Sequence, residues 1–83
     1  MITIYARPRC GYCSGAKNLA EQFGLDYQYI MLDNPTDVAE LEKRIGKPVK
    51  TVPQIFRYGK YVGGYEDLKQ EIENTSEYGQ GEF

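Results

Sequence analysis

Apolar and polar positions change period several times along the chain, and each change predicts an element. Ile2 and Ile4 alternate with Thr3 and Tyr5, so residues 1–6 read as a strand with both isoleucines on one face. Ala16, Leu19, Ala20 and Phe23 then recur at i, i+3, i+4 and i+7. That spacing predicts an amphipathic helix over Cys13–Phe23, stopped by Gly24. Tyr27–Leu32 returns to a strand pattern. Residues 1–32 therefore form a β-α-β unit, whose two strands should run parallel with a right-handed crossover.

Asn34 and Pro35 signal a second helix, as cap and first-turn residue. Val38, Leu41 and Ile45 form its apolar stripe and Gly46 its stop. Val52–Arg57 reads as a strand containing Pro53, followed by a hairpin turn at Tyr58-Gly59-Lys60 and a short strand at Tyr61-Val62. Gly63-Gly64 breaks the chain, and Glu66–Asn74 is a last helix with Leu68 and Ile72 inward. The order β-α-β-α-β-β-α places the chain in the α/β class, as one mixed four-stranded sheet with helices on its faces. Residues 1–75 are expected to form a single domain, and 76–83 a short, loose polar tail.

Composition narrows the function. At 83 residues there is one small core and no room for a separate substrate domain, so one compact site or surface must do the work. Ten Lys+Arg against twelve Asp+Glu give a net charge of −2, with no basic tract to attract nucleic acid. No apolar run approaches the ~18 residues of a membrane span, and no basic-then-apolar leader opens the chain. The expectation is a cytoplasmic protein that binds neither membrane nor nucleic acid. Histidine is absent, which removes His-assisted nucleophiles and His metal ligands.

Against that background Cys10-Gly11-Tyr12-Cys13 stands out, because it holds both cysteines of the chain. It follows a strand and opens a helix, the setting of a thiol–disulfide redox site. A thiolate is the attacking species, and helix N-termini and nearby cations favour it. Cys10, just before the helix and beside Arg7 and Arg9, is the expected nucleophile with a lowered pKa. Cys13, one turn in and less exposed, is the expected resolving thiol. The same tetrapeptide is also compatible with a static disulfide, or with half of a zinc site, although structural zinc usually takes four ligands. Two further segments have bland and functional readings. Thr51-Val52-Pro53 can be a simple sheet edge. Gly63-Gly64-Tyr65-Glu66-Asp67 can be a mere turn with dipole-stabilising acids, or a helix start that receives a carboxylate.

Taken together these residues resemble the glutaredoxin family. Tyr5-Ala6-Arg7-Pro8-Arg9-Cys10-Gly11-Tyr12-Cys13, Thr51-Val52-Pro53-Gln54-Ile55-Phe56 and Gly63-Gly64-Tyr65-Glu66-Asp67-Leu68 match three signature segments of that family in order. The resemblance covers about residues 1–75. It implies a thioredoxin-like fold, a cis Val52–Pro53 bond facing the cysteines, and a glutathione site. In that site Arg7 would meet the glycyl carboxylate, with Lys50 as a helper. The Val52 main chain, flanked by Thr51 and Pro53, would pair with the tripeptide, and Tyr12 would flank its sulfur. The N–H groups after Gly64 would take the γ-glutamyl carboxylate, Glu66 and Asp67 its ammonium, and Tyr65 would narrow that end. The implied activity is glutathione-dependent reduction of protein disulfides and protein–glutathione mixed disulfides by Cys10 and Cys13, in a monomer without a resident metal. Ribonucleotide reductase is a client the family suggests.

Gly11 departs from the pattern, since many dithiol members carry Pro there. Some members lacking that Pro hold a two-iron two-sulfur cluster between two protomers, with the first Cys as ligand. That keeps a cluster-binding dimer as an alternative, with Cys10 as the ligand. A redoxin fed by thioredoxin reductase is another, against which Arg7, Glu66 and Asp67 argue. Eight tyrosines are many for this length. They are expected mainly to edge the core, with Tyr58, Tyr61 and Tyr65 as a less favoured docking surface.

Overall fold

A computed structural model describes residues 1–74. The predicted tail over 76–83 lies outside the described residues. The elements are β1 (Ile2–Ala6), α1 (Gly11–Gln22), β2 (Tyr27–Met31), α2 (Pro35–Ile45), β3 (Gln54–Arg57), β4 (Lys60–Gly63) and α3 (Tyr65–Asn74). The four strands form one sheet in the order β2-β1-β3-β4. β1 and β2 are parallel, as a β-α-β unit requires, and the other two pairings are antiparallel. The mixed sheet and the β-α-β-α-β-β-α order match the expectation.

The pleat of β1 sorts the core into two layers. Ile2 and Ile4 point to one face and pack with Ala16 of α1, Ile55 of β3, and Leu68 and Ile72 of α3. Tyr5 points to the other face, towards Leu32, Phe56 and Leu41 of α2. Helices α1 and α3 thus cover one face of the sheet and α2 covers the other. Tyr27, Tyr29 and Tyr65 pack at the margin of the first cluster, and Tyr5 and Tyr61 at that of the second. Their rings cover apolar edges, and the hydroxyls of Tyr5, Tyr27 and Tyr61 reach polar partners. Tyr27, for example, donates to Glu21 Oε2, and that bond raises the Tyr27 pKa by favouring the neutral phenol.

The ends of the helices follow their sequence signals. Gly24 adopts φ +68° after α1, and Leu25 N–H returns to Ala20 O at 2.9 Å while Gly24 N–H reaches Glu21 O at 3.1 Å. This paired arrangement satisfies two carbonyls of the last turn. Asn34 caps α2, its Oδ1 accepting the Asp37 N–H at 2.9 Å, with Pro35 as the first helical residue. Asn34→Ala should therefore lower unfolding free energy by about 1 kcal/mol, read as an earlier urea midpoint at unchanged m-value. An unmoved midpoint would show that the cap contributes nothing.

Several boundaries shift by one residue from the sequence reading, β4 running Lys60–Gly63 and α3 starting at Tyr65, and two shift by two residues. Helix α1 begins at Gly11, not Cys13, because Cys10 itself caps it. β3 begins at Gln54, not Val52, since Pro53 has no N–H for the sheet ladder.

Candidate active site

The two cysteines lie where β1 hands the chain to α1. Cys10 is the N-cap of that helix, with extended backbone (φ −110°, ψ 109°). Its Sγ accepts the Cys13 N–H at 3.1 Å, and its carbonyl accepts the Ser14 N–H at 3.2 Å. Sulfur here takes the place that a Ser or Asp oxygen fills in an ordinary cap. An N–H pointing at sulfur from a helix N-terminus stabilises a thiolate more than a thiol. Cys10 and Cys13 are joined as a disulfide, with Cα atoms 5.2 Å apart. Cys13 is fully buried, whereas Cys10 is half-buried and reachable. The asymmetry suits a nucleophile backed by a hidden second thiol.

The Thr51–Pro53 segment faces the pair. The Val52–Pro53 bond is cis, and Cys10 Sγ lies 3.6 Å from the Val52 carbonyl oxygen. A reduced thiol at that position has an acceptor for its proton. Beside it opens a cavity of about 220 Å³. Tyr12, Thr51, Val52, Pro53, Gly64, Tyr65, Glu66 and Asp67 line it. These segments are far apart in the chain, and the sheet order brings them together by placing β3 beside β1 and the start of α3 beyond β4. Tyr12 is 66 % exposed, and its ring lies 5.8 Å from that of Tyr65.

Arg7 is placed apart from these residues. It sits just past β1 and lines a different cavity with Asp33, Asn34 and Pro35 at the start of α2. Its side chain is exposed and has no hydrogen-bond or ion-pair partner among the described residues. Asp67 is partly committed already, because its Oδ2 accepts the Gly64 N–H at 2.9 Å and so caps α3. The N–H groups of Tyr65 and Glu66, in the first turn, have no intrahelical acceptor. Gly11 has nothing within 4 Å of where a Cβ would be, so no neighbour requires glycine there.

Sequence reasoning assigns Gln54 no role of its own, yet it is the buried polar side chain of the core among the described residues. Its Nε2 donates to Thr51 O at 2.7 Å, and its Oε1 accepts from the Tyr61 hydroxyl. It braces the turn that carries Val52 and Pro53. A glutamine set among Ile, Phe and Pro is the signal that points to it.

Residues 2–62 match the protein-family model described as Glutaredoxin. The chain belongs to the glutaredoxin family. It is 44% identical to glutaredoxin 1 of Salmonella typhimurium over 72 residues, spanning 80% of this chain and 83% of that one. To glutaredoxin 1 of Escherichia coli it is 41% identical over 71 residues, 78% and 84% of the two chains. The solution fold of reduced E. coli glutaredoxin superposes with a TM-score of 0.78 at 35% identity, over 92% of this chain and 96% of that one. A buckwheat glutaredoxin solved as a glutathione complex superposes with a TM-score of 0.73 at 34% identity, over 88% and 68%. The fold is thus thioredoxin-like and the activity that of a thiol–disulfide oxidoreductase. No helix among the described residues is long and apolar enough to cross a membrane.

Proposed function

We propose that this glutaredoxin takes its electrons from glutathione and reduces both protein disulfides and protein–glutathione mixed disulfides, as a cytoplasmic monomer with ribonucleotide reductase as a candidate client. The observation that carries this reading is the cavity beside Cys10, whose two ends differ in chemistry. Near the sulfur it offers the Val52 main chain, suited to an extended peptide. At the far end it offers the uncommitted N–H groups of Tyr65 and Glu66 together with the Glu66 carboxylate and the remaining oxygen of Asp67. A γ-glutamyl group carries a carboxylate for the first and an ammonium for the second. Arg7, exposed and unpartnered among the described residues, is the proposed partner of the glycyl carboxylate.

The reaction follows from thiolate exchange. The Cys10 thiolate attacks the glutathione sulfur of a mixed disulfide, and the protein thiolate leaves and takes a proton. A second glutathione thiolate then attacks the glutathione sulfur held on Cys10, which releases oxidised glutathione and restores the Cys10 thiolate. With a protein disulfide, Cys10 attacks one sulfur and Cys13 displaces the resulting linkage, leaving the Cys10–Cys13 disulfide for glutathione to reduce.

Coupled assays on the same protein test the electron source. Turnover is expected with NADPH, glutathione and glutathione reductase, and little with NADPH and thioredoxin reductase. Equal or faster turnover with thioredoxin reductase would overturn the proposal.

A further inference from the structure

We infer that Gly15 is a positioning residue for recognition of the γ-glutamyl end of the ligand, because its missing side chain seats the Tyr65 ring that walls the cavity. The inference rests on the glutathione reading above. Gly15 lies inside α1, where glycine is among the least favourable residues and where its backbone makes no demand for positive φ. The reason for it lies across the helix interface. A Cβ at Gly15 would stand 3.3 Å from Tyr65 Cε1 and 3.6 Å from Cδ1, so the ring already rests against the α1 backbone.

The same ring also borders the proposed ligand cavity. Tyr65 and Tyr12 line the same cavity of about 220 Å³, with ring centroids 5.8 Å apart and planes at 40°. The two rings form one wall, and Gly15 sets how far back half of it can sit. Tyr65 is also the first residue of α3. Any part of the ring's displacement that side-chain rotation does not absorb would reach the N–H groups of Tyr65 and Glu66 proposed for the ligand's carboxylate, and the rest narrows the cavity itself. A methyl at position 15 asks the ring to yield by a few tenths of an ångström, and a longer side chain asks for much more. The helix itself tolerates either residue better than glycine, so the penalty should fall on the ligand and not on the fold.

The test is steady-state kinetics with glutathione and a glutathione mixed disulfide, on Gly15→Ala and Gly15→Leu, each made with Tyr65 and with Tyr65→Ala. With Tyr65 present, KM should rise about threefold for Gly15→Ala and about tenfold for Gly15→Leu, while kcat stays within about twofold of the parent. In the Tyr65→Ala background Gly15→Ala should leave KM where Tyr65→Ala alone put it, since the two changes act through one contact. An unchanged KM for Gly15→Ala, or the same rise in both backgrounds, would overturn this inference while the glutathione reading stands. A parent protein that glutathione does not turn over would overturn both.

Discussion

Cys10→Ser should reduce both mixed-disulfide and dithiol turnover by at least about 1,000-fold, because a serine hydroxyl at neutral pH supplies no anion to attack sulfur. Cys13→Ser should separate the two routes. Its main-chain N–H still points at Cys10 Sγ, so the thiolate keeps its stabilising donor. Reduction of glutathione mixed disulfides, which needs one thiol, should persist within a few-fold, and reduction of protein disulfides that need the second thiol should stop. Cys13 is fully buried, so its serine hydroxyl also needs a partner there and stability should drop by about 1–3 kcal/mol. Cys13→Ala avoids that burden and should show the same split. Activity of Cys10→Ser above background, or loss of both routes in Cys13→Ala, would reverse the roles given to the two sulfurs. Alkylation of the reduced parent across pH adds an independent reading, with a Cys10 midpoint below the ~8.5 of a free thiol expected.

The largest effect on stability is expected from Gly63→Ala. Gly63 has φ +126°, a conformation almost closed to residues with a Cβ. A Cβ there would also stand 2.8 Å from the Asp67 carboxyl carbon and nearer still to Oδ2, the atom that caps α3. Both problems must be relieved at once, by bending the end of β4 or by displacing the cap. The cost should be roughly 2–3 kcal/mol. In a domain of this size that lowers Tm by about 10–20 °C. The same substitution at Gly11, which meets no neighbour, should leave Tm unchanged or raise it. A Gly63→Ala Tm within a degree or two of the parent would show that neither the backbone nor the cap resists a side chain there.

Elements governed by local period are legible in the sequence. Ile2 and Ile4, and the Ala16 to Phe23 stripe, announce β1 and α1, and Asn34-Pro35 marks the start of α2. Boundaries are less legible where a residue serves two purposes. Cys10 is a poor cap by type, so its helix reads as if it began later than it does. Pro53 sits among strand formers, and only its missing N–H keeps it out of β3. The cysteine pair is legible from its place between a strand and a helix and the rest of the site by resemblance, but how the other segments meet depends on distant partners. Asp67 reaching back to Gly64 has a capping-box spacing that could have been read. The seat of Tyr65 on Gly15, and the brace of Gln54 between Thr51 and Tyr61, join segments that no local pattern connects. The placement of Arg7 beside α2 likewise follows from the path of the chain after β1.

The cap at Cys10 ties the reducing power of the protein to the stability of its first helix. Only the reduced, ionised sulfur receives the full benefit of the Cys13 N–H and the helix N-terminus. Around a thermodynamic cycle, whatever that benefit adds to the folded dithiol form must also appear as a higher potential for the disulfide. A change at the start of α1 that favours the dithiol form more than the disulfide should therefore make the protein a weaker donor of electrons, and one that favours it less should make a stronger donor, with no atom of either sulfur replaced.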